Sequence, residues 1–171
     1  MKKFYETIES ICISFIAITI LILFVFRVVS VEGNSMNNTL MDSERLITTN
    51  FFYTPKKGDI VVIDKNNPHR KPLIKRVIAT GGDNIKIEYA TGDVYLNGKL
   101  LEEKYIKEKI APKKCDDLEL TIPKGYVFVM GDNRNASSDS REEAIGAVNT
   151  KNIIGKAIFR IYPFSRIGSL K

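Results

Sequence analysis

Residues 11–40 read ICISFIAITILILFVFRVVSVEGNSMNNTL. The first sixteen of these carry no charge, and apolar character resumes beyond Arg27 through Val28, Val29 and Val31. A helix needs ~20 residues to cross the hydrocarbon of a bilayer. Residues 11–31 supply 21 of them, with Arg27 snorkelling to the headgroups. Lys2 and Lys3 favour an orientation with the N-terminus inside. The expected organisation is therefore a cytoplasmic tail at 1–10, a transmembrane anchor at 11–31 and an extracytoplasmic domain at 32–171. A cleaved signal peptide, with Val28 and Ser30 at −3 and −1, fits the long uncharged run and Arg27 poorly. A helix packed into a soluble core would show a polar face at the 3.6-residue period, and none is present. The run ends a few residues before Ser35, which is thereby tethered close to the membrane surface.

Beyond Leu40 the pattern changes to short β-type runs. Residues 60–64 (IVVID) follow Gly58-Asp59, residues 73–78 (LIKRVI) lead into Gly81-Gly82-Asp83, and residues 85–89 (IKIEY) alternate cleanly. Residues 93–96 and 99–101 flank Asn97-Gly98, a strong hairpin signal. Residues 118–122 and 126–130 read as strands around Pro123-Lys124-Gly125, and residues 153–162 (IIGKAIFRIY) as a last strand closed by Pro163. The charged stretch 102–114 is compatible with a short helix or an exposed loop. Many short strands without βαβ alternation predict a mainly β fold, in which one N-terminal transmembrane helix precedes an antiparallel β domain.

Charge and cysteine usage exclude several function classes. The chain carries 26 Lys+Arg against 20 Asp+Glu, a net of +6 that is spread along the sequence. That excess suits anionic membrane lipids as partners. It forms no dense basic stripe interleaved with aromatics, so no nucleic-acid partner is expected. Cys12 lies in the apolar run, so it and Cys115 are expected as free thiols. His69 stands alone in an Asn-Asn-Pro-His-Arg turn without Cys or carboxylates at ligand spacing, so neither metal nor cofactor is expected.

A serine hydroxyl becomes a nucleophile only when a base takes its proton. His69 is isolated, which leaves lysine, one of the known substitutes for histidine. A lysine serves only if burial without a carboxylate partner lowers its pKa toward neutrality. Lys75 in LIKRVI shares a strand face with Leu73 and Val77, the more apolar of the two faces. Lys86 shares its face with Asn84 and Glu88, which predicts a wet, paired side chain; Lys156 is a further candidate but follows a glycine. On pattern alone, a snorkelling lysine at a sheet edge is the competing reading of Lys75. Residues 130–141 (MGDNRNASSDSR) form a dense polar loop after a hydrophobic strand. That loop reads either as plain surface or as a segment fixed by internal ion pairs.

Taken together, these residues resemble the bacterial type I signal peptidases, membrane-anchored Ser/Lys proteases. SMNNTL (35–40) is similar to that family's Ser-Met-x-Pro-Thr-Leu motif, GDIVV (58–62) to its next box and KRVI (75–78) with Gly82-Asp83 to its general-base box. GDNR (131–134) with Ser137, Asp139, Ser140 and Arg141 is similar to its last box, and the four occur in the family's order. The resemblance implies Ser35 as nucleophile and Lys75 as general base. It also implies Ser137 as the group that bonds and aims the Lys75 amine, an Asp139–Arg141 ion pair, and Asp132 bracing the same loop. The Ser35 backbone N–H is the implied oxyanion donor. Arg76 and Met36 are implied only as packing and anchoring neighbours.

The implied reaction is cleavage of signal peptides bearing small residues at −3 and −1, at the outer face of the cytoplasmic membrane. Three positions depart from the pattern. Asn38 and Gly81 stand where prolines are usual, and Gly33 stands where some members place a serine that completes the oxyanion hole. The second donor is therefore expected from another backbone N–H or from Asn34. Competing functions are an anchored, non-catalytic β domain that binds exported proteins, and a self-cleaving Ser/Lys regulator. The latter would carry a DNA-binding domain where this chain has its apolar run.

Overall fold

The structure, a computed structural model, describes residues 2–170. One helix, α1 (Lys2–Val25), precedes a chain of short strands. These are β1 (Phe26–Ser30), β2 (Arg45–Thr49), β3 (Ile60–Ile63), β4 (Leu73–Thr80), β5 (Asn84–Glu88) and β6 (Asp93–Leu96). They continue as β7 (Lys99–Leu100), β8 (Leu118–Thr121), β9 (Tyr126–Met130), β10 (Val148–Asn149), β11 (Ile153–Tyr162) and β12 (Gly168–Ser169). The fold is mainly β with antiparallel ladders, as the spacing of apolar runs predicts. The larger sheet runs β1-β2-β11-β3-β4-β9-β10 with β12 added to β11, and the smaller runs β7-β6-β5-β8.

Alternation explains where the core lies. Successive residues of a strand point to opposite faces. Along β9, Phe128 and Met130 join one apolar cluster with Ile78, Ile85, Ile87, Val94 and Ile122, whereas Val127 and Val129 join another with Val61, Ile63, Leu73, Val77 and Val148. β9 is covered on both faces, which is why YVFVM is apolar throughout rather than every second residue. A third cluster, Val31, Met36, Leu40, Leu46, Ile60 and Ala157, lies under the segment that carries Ser35. At Asn97-Gly98 both residues have positive φ, 52° and 75°, the backbone of a two-residue hairpin turn between β6 and β7. Gly81 has a packing role: a Cβ there would lie 2.9 Å from Lys124 Cα, so only glycine lets the two turns meet.

The boundary of the apolar segment differs from the one read off the sequence. Helix α1 takes in most of the expected tail, residues 2–10, and ends at Val25 rather than Val31. Phe26–Ser30 leaves the helix to become an edge strand paired with β2 from Phe26↔Thr49 to Ser30↔Arg45. Hydropathy does not separate the two states, because Val28 and Val29 suit a membrane helix and a strand alike; the ladder to β2 decides. Within α1 an 18-residue window reaches a high mean hydropathy, 2.6, and the helix is long and apolar enough to cross a membrane. Its apolar side chains stay exposed rather than packing on the sheets. β2, β10 and β12 are additional strands without a sequence expectation, and residues 102–114 form neither helix nor strand beyond one bridge, Glu108↔Asn133. Cys12 and Cys115 are free and exposed.

Candidate active site

Ser35 sits in a closed loop whose two ends are tied together. Val31 N–H donates to Glu44 O at 2.8 Å, Ser43 N–H to Val31 O at 2.9 Å, and Gly33 N–H to the Asp42 carboxylate at 2.7 Å. Within the loop Met36 and Leu40 bury their side chains in the third core cluster, and Leu40 N–H donates to Met36 O at 2.8 Å. An apolar residue on each side of the turn thus nails it to the sheet and leaves Ser35 at the surface of a cleft. The Asn37–Asn38 peptide is cis.

Lys75 arrives from the middle of β4, opposite Val61 of β3. Its side chain is only 3% exposed, and its Nζ donates to Ser35 Oγ at 2.8 Å. Burial is the main cause that brings its pKa down to about 8, and the nearby Arg141 and Lys71 charges push the same way. Asp139 and Glu142 oppose that shift from a distance. Among the described residues Lys75 is the one buried cation with no carboxylate at ion-pair distance. Arg76 pairs with Asp132, Arg134 with Glu103, Arg141 with Asp139 and Arg160 with Glu44. Lys86 pairs with Glu88 at 2.7 Å and Lys156 with Asp59 at 2.6 Å, so neither rival lysine is left unpaired.

The loop after β9 wraps these two side chains. Asp139 is buried and collects Arg141 Nε at 2.7 Å, Arg141 Nη2 at 2.8 Å, Gly131 N–H at 2.9 Å and Ser137 Oγ at 2.7 Å. These donors hold its carboxyl below the usual carboxylate range against the opposing effect of burial. The Ser137 hydroxyl donates to Asp139, and among the described residues this is its hydrogen bond, where the resemblance implied one with the Lys75 amine. A buried carboxylate has to be surrounded by donors, and the Ser137 hydroxyl is one of those that Asp139 collects. Asp132 follows the same strand: Arg76 reaches it with Nε at 2.9 Å and Nη2 at 2.7 Å, and Thr39 Oγ1 donates to it at 2.5 Å. One carboxylate thus joins the strand of Lys75 to the loop of Ser35.

Gly131 fits between Ser35 and Ser137. A Cβ at this position would lie 2.6 Å from Ser137 Cβ and closer still to Ser137 Oγ and Ser35 O. Asn133 completes the contact, with N–H to Ser35 O and Nδ2 to Asn34 O, both at 3.0 Å. Among the described residues neither the Ser35 N–H nor the Asn34 side chain has a protein partner, whereas the Gly33 N–H is spent on Asp42. The cleft in front holds about 430 Å³ and is walled by Val29, Val31, Met36, Leu73 and Ile74.

A family model described as signal peptidase, peptidase S26, matches residues 4–162. The chain belongs to this family. As a signal peptidase it is a serine endopeptidase. It is 35% identical to signal peptidase I of Bacillus licheniformis over 178 residues, covering 97% of this chain and 92% of that one. It is also 35% identical to signal peptidase IB of Staphylococcus aureus strain Mu50 over 182 residues, covering 96% and 92%. A crystal structure of a signal peptidase I from Enterococcus faecalis V583 aligns with a TM-score of 0.47 at 27% identity, over 61% of this chain and 97% of that one.

Sequence reasoning missed two parts of this signal peptidase's site. Glu103 and Tyr105, in the stretch without regular structure, pair with Arg134 and lay a ring 4.2 Å from the Arg76 guanidinium. The signal for them is weak, because a Glu and a Tyr in a charged run look like solvated surface. Arg160 and Arg166, at the far end of the chain, meet the Ser35 loop through Glu44.

Proposed function

We propose that this protein is a membrane-anchored signal peptidase in which Ser35 is the nucleophile and Lys75 the general base. The observation that carries the reading is the buried, carboxylate-free amine 2.8 Å from a serine hydroxyl. A lysine near 8 is substantially neutral at slightly alkaline pH, and its lone pair then accepts the Ser35 proton across that same separation. Ser35 Oγ attacks the scissile carbonyl carbon while Lys75 takes the proton. The oxyanion receives the Ser35 N–H, with the Asn34 amide as the second donor. Collapse breaks the C–N bond, and the Lys75 ammonium protonates the leaving amine. Lys75 then activates water against the acyl-enzyme and frees the signal peptide. Asp139, Arg141, Ser137 and Asp132 hold the loop after β9 against the pair and take no proton.

The substrates in this reading are preproteins with small residues at −3 and −1, which suit a modest cleft walled by valines and Ile74. Helix α1 spans the membrane with Lys2 and Lys3 on the cytoplasmic side, and the domain that begins with β1 at Phe26 lies outside, against the lipid. Sharing one membrane with the substrate raises their effective concentration. Incubating a preprotein with wild type, Ser35→Ala and Lys75→Ala in detergent micelles tests this: both variants lose mature product, and cleavage retained by either one sinks the dyad.

A further inference from the structure

Glu44 is a buried carboxylate at the closing end of the Ser35 loop. Arg160 Nη1 donates to both of its oxygens, at 3.0 and 2.7 Å, and Arg166 Nη1 lies 2.7 Å from it. Arg160 Nε also donates to Arg166 O at 2.7 Å, so the two arginines and the carboxylate form one unit. That unit reaches into the loop from below. Arg160 Nη1 donates to Thr39 O at 3.2 Å, and Arg166 Nη2 to Thr39 O and Asn38 O, both at 3.4 Å. Thr39 is consequently held on both sides, by its hydroxyl to Asp132 and by its carbonyl to the arginines. Asn38 itself adds no rigidity, since its side chain and N–H make no hydrogen bond among the described residues.

We infer that Glu44, Arg160 and Arg166 are positioning residues for the reaction, a carboxylate–guanidinium clamp that fixes the height of Ser35 against Lys75 by gripping the carbonyls of residues 38 and 39. The inference rests on the reading of Ser35 as nucleophile. Charge pairing sets the guanidinium planes, and each plane turns an N–H toward a carbonyl that no strand would satisfy. The clamp acts on distance, not on the base: the charges acting on Lys75 are Asp139, Arg141, Lys71 and Glu142, none of which belongs to it.

Arg166 is the variant of choice, because its side chain is 35% exposed and its removal leaves Glu44 paired with Arg160. In full-length protein in detergent micelles, Arg166→Ala lowers kcat for preprotein cleavage roughly five- to tenfold, the scale expected from loosening a reacting atom by a fraction of an ångström. KM stays within about twofold, and the pH midpoint of the rate does not move. Proline at position 38 removes no hydrogen bond and restricts the loop from within. In an Asn38→Pro background the Arg166→Ala penalty therefore shrinks to below about twofold. Arg166→Lys, which keeps the charge beside Glu44, carries the same measurement with a smaller loss should the alanine variant unfold. Unchanged kcat, a loss confined to KM, a shifted midpoint, or an equal penalty in both backgrounds overturns the clamp. Ser35→Ala is run alongside: if it still cleaves, the nucleophile reading itself has failed, whereas an inactive Ser35→Ala with a fully active Arg166→Ala refutes the clamp alone.

Discussion

Replacing Gly131 with alanine puts one methyl group where the Ser35 carbonyl and the Ser137 side chain already are. The new Cβ would sit 2.6 Å from Ser137 Cβ and nearer to Ser35 O, against an ordinary contact of about 3.4 Å or more, so the loop after β9 has to retreat by about 1 Å. Gly131 N–H donates to Asp139, and Asn133 N–H two residues on donates to Ser35 O, so the retreat loosens both bonds. Overpacking of this kind costs about 1–3 kcal/mol of stability. Displacing Ser35 by ~1 Å from Lys75 costs on the order of 100-fold in rate. Gly168→Ala is the control, because a Cβ there meets nothing within 4 Å. Initial rates of preprotein cleavage, with thermal unfolding of the same samples, give both quantities. Activity of Gly131→Ala within twofold of Gly168→Ala would refute the close approach of the two loops.

Three further outcomes follow from the charges around the pair. Asp139→Asn deletes the negative charge that raises the Lys75 pKa, so the pH midpoint of the cleavage rate moves to lower pH; a move upward would contradict this electrostatic assignment. Asp132→Asn strands Arg76 without its buried carboxylate and lowers stability by about 3–5 kcal/mol, read from urea unfolding followed by tyrosine fluorescence. Lys75→Met abolishes activity yet stabilises the fold. Holding the amine near 8 rather than 10.5 costs the wild type up to about 3 kcal/mol at neutral pH. The sign is fixed by proton count: between pH 8 and 10.5 the unfolded wild type binds more protons than the folded form, so wild-type stability rises with pH through that window. The advantage of the methionine variant is therefore full below pH 8 and fades toward 10.5, and unfolding free energies at pH 7 and pH 10 check it.

The β architecture was largely open to sequence reading where a strand is bounded by turn residues. Asn97-Gly98 and Pro123-Lys124-Gly125 delimit elements that hydrophobic alternation had already marked. Phe26–Ser30 was not, because Val28 and Val29 continue an apolar run and only pairing with β2 distinguishes strand from helix. Lys75 was legible from its neighbours Leu73 and Val77, both buried with it. Arg76, on the other face, is buried too, which alternation does not foretell: its cover is Asp132, more than fifty residues on, and Tyr105 from an irregular stretch. That the Ser137 hydroxyl turns to Asp139 was not legible either, because a hydroxyl's partner depends on side-chain geometry that a local pattern does not carry. Glu44, Arg160 and Arg166 were missed because ion pairs joining residues over a hundred apart leave no local pattern.

The pH dependence of kcat/KM bears most directly on Lys75 as the base for Ser35. Measured on one preprotein in detergent micelles, the rate of the wild-type protein should climb about tenfold per pH unit on the acid side and level off above a midpoint near 8. A rate that stays flat from about pH 6 to 10 would mean that no group with the properties of Lys75 accepts the Ser35 proton.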